Sequence, residues 1–185
     1  MKRGRLLIRT IIRDIVNIVK NKKTGLIYLP EDNDFYSVGR FPVQVGVEVT
    51  LKHNLNSDNF IVNAYYSTED DVVEVLIMFN PNTLEKNMYD LIGELNEVVT
   101  HELQHSIQNY NGELDDRDNE DLPPLEYYLL PEELDAQSKG FKRLSKLTKT
   151  PAEILIKKWF VKHLDIHNLT DEEQKIVTDS ILENM

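Results

Sequence analysis

The sequence predicts an α+β fold, and three features of its patterning carry that expectation. An amphipathic helical stretch opens the chain. A segment rich in Val, Ile, Tyr and Phe follows, punctuated by Asn, Asp, Ser and Gly, as short strands usually are. The remainder shows apolar residues three and four apart, the period of helices. One helix, a small sheet and then four helices is the order of an α+β domain rather than of alternating βαβ units. At 185 residues the chain has the length of one domain, residues 1–185, and can bury a core without staples.

The elements follow in order. Leu6 to Lys20 reads as a helix, with Leu7, Ile8, Ile11, Ile12, Ile15, Val16 and Val19 on one apolar stripe. Arg5, Arg9 and Arg13 form a basic line on another face, and residues 1–23 make a basic amphipathic helix. Such a face is ordinarily solvated; its sharper reading is contact with a membrane surface or an acidic partner. In residues 24–80 the segments Leu26–Leu29, Pro42–Leu51, Phe60–Tyr66 and Val72–Phe79 read as strands of a largely antiparallel sheet. Asn82 or Thr83 can cap a helix over residues 82–110, which Gly112 ends. Pro131 suits the first turn of a helix reaching Leu147. Thr150-Pro-Ala-Glu153 and Thr170-Asp-Glu-Glu173 have the form of capping boxes for two further helices, so residues 131–185 are helical.

Composition limits the chemistry. No cysteine is present, which excludes disulfides and thiolate sites and leaves histidine and carboxylate to hold any metal. The net charge is −11, yet residues 1–23 carry eight Lys/Arg and one Asp, which leaves −18 on the rest. An acidic body does not suit nucleic acid, whose phosphates need Lys and Arg. No apolar run is long enough to cross a bilayer, and Arg9, Arg13 and Asp14 interrupt the stretch where a signal peptide would lie. These features point to a cytoplasmic, unprocessed protein. They leave the oligomeric state open.

The chemistry-bearing motif is Val98-Val99-Thr100-His101-Glu102-Leu103-Gln104-His105-Ser106-Ile107. On a helix, His101 and His105 stand one turn apart on one face and can reach the same Zn²⁺. Glu102 lies beside that face, placed to take a proton from a water acidified by the metal. Two histidines do not complete a catalytic zinc site; a third protein ligand is needed. Glu132, Glu133 and Asp135 are the carboxylates on the following helix. Leu134, Phe141 and Leu144 mark its buried side. Glu133 shares a stripe with Ala136 and Gly140, small residues that permit close helix approach, whereas Glu132 shares one with Asp135 and Lys139. Glu133 is therefore the expected third ligand, and a bend at Pro131 would favour Glu132 instead. Asp135 is then expected to accept a hydrogen bond from a ligand imidazole. The acidic stretch Asp115–Asp121 lacks the Gly and Glu of a calcium loop, since positions 121 and 127 are Asp and Tyr.

The motif resembles the signature of the zincin metallopeptidases. Pro131-Glu-Glu-Leu-Asp-Ala136 resembles the glutamate-bearing helix of the gluzincin branch, whose best known member is thermolysin. A metzincin would need His six residues after His105, where Asn111 stands. The likeness covers roughly residues 60–145 and is to compact gluzincins that keep the sheet, the motif helix and the glutamate helix. It implies a zincin-like fold, a zinc ion and peptide or protein substrates. It also implies a Tyr or His that bonds the developing oxyanion. Tyr127, Tyr128, Tyr110, His163 and His167 are candidates, and Tyr128 is selected. The edge strand along the cleft is expected to be Val72–Phe79, binding substrate by strand addition. The expected function is a zinc metallopeptidase. The alternative is a non-enzymatic zinc-binding or docking protein, which would have no need of Glu102.

Overall fold

The structure, a computed structural model, describes residues 2–30, 35–38, 41–55, 60–114, 122–162 and 168–185. Among the described residues there are six helices and five strands. Helix α1 (Lys2–Lys20) leads into strands β1 (Gly25–Leu29), β2 (Tyr36–Val38), β3 (Phe41–Leu51), β4 (Phe60–Ser67) and β5 (Val72–Phe79). Helices α2 (Leu84–Asn111), α3 (Pro124–Tyr128), α4 (Pro131–Thr148), α5 (Ala152–Lys162) and α6 (Asp171–Glu183) follow. The α+β class agrees with the sequence pattern. His163, His167 and Asp115–Asp121 fall outside the described residues. No helix of the described residues is long and apolar enough to cross a membrane.

The sheet is mixed, which corrects the largely antiparallel expectation. Its order is β1-β3-β5-β4, with β2 also paired to β3. The central pair β3–β5 is parallel, from Gln44 opposite Val72 to Leu51 opposite Phe79. The other pairings are antiparallel. The reason lies in β5, whose Val-Val-Glu-Val-Leu-Ile-Met-Phe is apolar on both faces and suits the interior of a sheet. Strand β4 carries Asn63, Tyr65, Tyr66 and Ser67 and tolerates the end of the sheet. After β4 the chain therefore turns back between β4 and β3 rather than continuing outward. This overturns the expectation that Val72–Phe79 is the edge strand, because both of its sides are paired.

Two apolar clusters hold the elements. The first lies between the sheet and α1 and α2; Ile11, Ile15, Val19, Val45, Val47, Val73, Val75, Leu91, Leu95 and Val99 are all fully buried in it. The second joins α3 to α6 through Tyr128, Phe141, Ile156, Phe160, Val177 and Ile181. Helix α2 separates them, with the sheet on one side and α4 on the other. Gly112 ends α2 at φ 69°, a left-handed conformation that costs a glycine little, and its N–H bonds Asn109 O. The Thr170 box forms: Thr170 Oγ1 accepts from Glu173 N, and Glu173 Oε2 accepts from Thr170 N.

The approach of α4 to α2 is set by small residues. Ala136 is fully buried. A Cβ added at Gly140 would lie 3.1 Å from both the carbonyl oxygen and Oε1 of Glu97 on α2. That contact brings the Glu133 turn of α4 over the motif helix.

Candidate metal centre

Leu95, Val99 and Leu103 turn one side of α2 into the sheet core, being 3 % exposed or less. The histidine face is thereby turned toward α4. His101, Glu102 and His105 present donor atoms within 4.8 Å of one another, a group able to hold a metal ion. Glu133 joins them from α4. His101 Nε2 stands 3.0 Å from His105 Nε2. Glu133 Oε2 is 3.5 Å from His101 Nε2, and its Oε1 is 3.1 Å from His105 Nε2. Glu102 Oε1 is farther, 3.9 Å from His101 Nε2.

These separations can be set against those that zinc requires. Bonds of about 2.0–2.1 Å in a tetrahedron place the donors roughly 3.3–3.4 Å apart. The two Nε2 atoms, 3.0 Å apart, are close to that separation, and each of the two Glu133 oxygens lies near one of them, at 3.1 and 3.5 Å. The donor set of two imidazoles and one carboxylate is also one that zinc accepts.

Burial shapes the protonation of these groups. Burial lowers His101 to about 4, against the pull of the Glu133 charge, so its imidazole is neutral at pH 7. His105 is desolvated too, but its contact with Glu133 outweighs this and raises it. Glu133 is held below the usual carboxylate range: burial pushes it up, and the two imidazoles and the Tyr127 hydroxyl more than offset that. Glu102 rises to about 7 through burial, with His105 and a hydrogen bond from the Tyr66 backbone opposing the rise.

The surrounding polar groups are ordered. The Tyr127 hydroxyl donates to Glu133 Oε1 at 2.9 Å. Tyr128, the selected oxyanion candidate, packs its ring edge-on against Tyr127 and Trp159 and belongs to the second apolar cluster. The Tyr127 hydroxyl bonds Glu133, and the Glu133 charge adds to burial in raising the Tyr128 phenol, so both tyrosines stand near that carboxylate. Tyr110 lies on the last turn of α2 and is 60 % exposed. Tyr66, on β4, accepts a hydrogen bond from Asn109 Nδ2 at 2.7 Å, tying the strand to α2.

The expected bond from a ligand imidazole to Asp135 does not form. His105 Nδ1 meets Gln108 Oε1 at 2.8 Å instead. Asp135 Oδ2 stands one bond further out, accepting from Gln104 Nε2, Gln108 Nε2 and Lys139 Nζ. Reasoning from the sequence missed Gln104 and Gln108. Their signal was available: two long amides one turn apart, close to the histidine face of a helix that is otherwise buried. Glu132 offers its backbone carbonyl to Gln108 Nε2 at 2.9 Å, and its own Oε1 is buried without a hydrogen-bond partner.

Compared with known protein families, with curated proteins and with solved structures, the chain matches none.

Proposed function

We propose that the protein is a zinc metallopeptidase of the zincin type, with His101, His105 and Glu133 holding the metal and Glu102 acting as general base. The observation that carries this reading is the approach of the Glu133 carboxylate to both Nε2 atoms at 3.1 and 3.5 Å, with Glu102 beside them but not in the triangle. Held this way, zinc supplies a Lewis acid for a carbonyl oxygen and a bound water with a pKa lowered toward ~7.

The protein's own groups do the rest. Glu102, beside the histidines and outside the Glu133 contacts, is placed to take a proton from the bound water and to hand it to the leaving amine. Tyr127 orients Glu133 through its hydroxyl. Strand β4 ends the sheet and packs on α2, the helix that carries Glu102, so an extended peptide laid along that strand would run beside the helix of the base. A Glu102 carboxylate kept beside the histidines is what separates this reading from a purely structural metal site.

The test pairs metal content with hydrolysis of an unfolded protein substrate. The parent should carry one zinc per chain and cleave. His101→Ala and His105→Ala should lose the metal. Glu102→Gln should keep the metal and lose about 10²-fold or more in rate, the scale of general-base catalysis. Zinc bound without hydrolysis by the parent would favour the non-enzymatic alternative. Equal rates for parent and Glu102→Gln would overturn the base assignment.

A further inference from the structure

We propose that Gln108 is the positioning residue of the metal centre: one amide fixes the tautomer of His105 and ties it to the turn that carries Glu133. The inference rests on the metal-site reading above and adds a residue that reading does not need. It begins with the orientation of the amide. Gln108 is 2 % exposed, so its polar atoms must find partners within the protein. Nε2 lies 2.9 Å from the Glu132 carbonyl oxygen and 3.2 Å from Asp135 Oδ2. Both of these are acceptors, so the group facing them must be the NH₂, with its two protons. Turning the amide over would set its oxygen against a carbonyl and a carboxylate.

The oxygen Oε1 therefore faces His105 Nδ1, at 2.8 Å. An amide oxygen only accepts, so Nδ1 must carry a proton. In the neutral ring that proton leaves the lone pair on Nε2, the atom turned toward His101 and Glu133. The tautomer of His105 is thus dictated by which way Gln108 points. What Gln108 points at is dictated by α4.

The same amide has a second effect. The Glu132 carbonyl is the backbone group immediately before Glu133. Gln108 therefore links one imidazole to the peptide unit next to the carboxylate that approaches it. Asp135 anchors the arrangement from α4, receiving Gln104, Gln108 and Lys139 on one oxygen. Gln104 shares this anchor, but its side-chain bond goes to Asp135 and not to a histidine. Gln104 thus serves as a control: it is part of the network without touching a ligand.

The experiment compares Gln108→Met, Gln108→Glu and Gln104→Met with the parent. The first readout is the His105 tautomer in the metal-free protein, from long-range ¹H–¹⁵N NMR of the ring at a pH high enough that the ring is neutral. The parent should show Nδ1–H. Gln108→Met should show a mixture or the other tautomer, and Gln108→Glu should keep Nδ1–H because a carboxylate also accepts. The second readout is zinc affinity by chelator competition. Gln108→Met should bind roughly 10–100-fold more weakly, the usual effect of losing a partner behind a ligand histidine. Gln104→Met should stay within about threefold of the parent, since no ligand loses a hydrogen bond. Thermal melts identify any variant that fails to fold; if Gln108→Met does so, Gln108→Glu carries the affinity test, expected weaker than the parent because its donors to α4 are gone. An unchanged tautomer and affinity in Gln108→Met, or an equal loss in Gln104→Met, would overturn the inference. A parent with no zinc affinity but the expected tautomer response would sink the metal-site reading and leave the assignment of Gln108 to His105 standing.

Discussion

Glu97 is a buried carboxylate that is neither a proposed metal ligand nor the proposed base. It lies on α2 one turn before His101, is 7 % exposed, and packs against Gly140 of α4. Burial, and then the charges of Glu94 and Glu102, raise it to about 8, with Lys162 opposing. Its ordinary value is 4.5, so at pH 7 the folded protein holds a proton that the unfolded chain has released. Each unit of pH between those two values costs about 1.4 kcal/mol, so the loss at pH 7 relative to pH 4.5 is about 3 kcal/mol. The sign is that of a raised pKa: the contribution is fully present below 4.5 and disappears as pH rises toward about 8. Glu97→Gln removes the titration and keeps the size. The assay is urea unfolding of parent and variant at pH 5 and at pH 8. The two should be close at pH 5, and the variant should be more stable by a few kcal/mol at pH 8. A constant difference across that range would refute the reasoning, because the carboxyl would then not titrate differently on unfolding.

Three further outcomes are expected. Glu133→Gln should lose most of the zinc affinity while Glu132→Gln and Asp135→Asn retain far more; chelator titration of the three together checks this, and a loss confined to Glu132→Gln would move the ligand by one residue. Gly140→Ala should destabilise the fold by about 1–2 kcal/mol, because overpacking against the Glu97 carbonyl outweighs the roughly 1 kcal/mol of helix propensity gained; thermal denaturation reads it. Thr170→Ala should cost about 1 kcal/mol by removing the oxygen that caps Glu173 N, visible as a lower urea midpoint with an unchanged slope.

Much of this was legible before folding because it is local. Gly112 ends α2 for a reason contained in a single residue: a left-handed φ is cheap for glycine. The four-residue spacing of His101 and His105 places them on one helix face whatever surrounds the helix. The stripe of Ala136 and Gly140 announced a close approach between two helices, and the 3.1 Å clearance at Gly140 is that approach. Pro131 at the first turn fixed where α4 begins, and so where Glu133 stands within it.

What the sequence left open depends on groups far apart in the chain. The apolar pattern of β5 marks a strand, but whether it lies at the edge or the centre is decided by which partners are free when β4 folds back; the answer is the centre, beside a parallel β3. Tyr127 and Tyr128 are equivalent as residues. Packing sets the Tyr127 hydroxyl on Glu133 and the edge of the Tyr128 ring against Trp159. Gln108 is another polar residue on a helix until Glu132 and Asp135, 24 and 27 residues later, supply the acceptors that orient its amide. Local spacing therefore determined which side chains can share a face, because helical and strand periods are properties of the backbone. Tertiary structure decided which of them meet, because a hydrogen bond or a buried charge acquires its direction only from a partner brought in by packing.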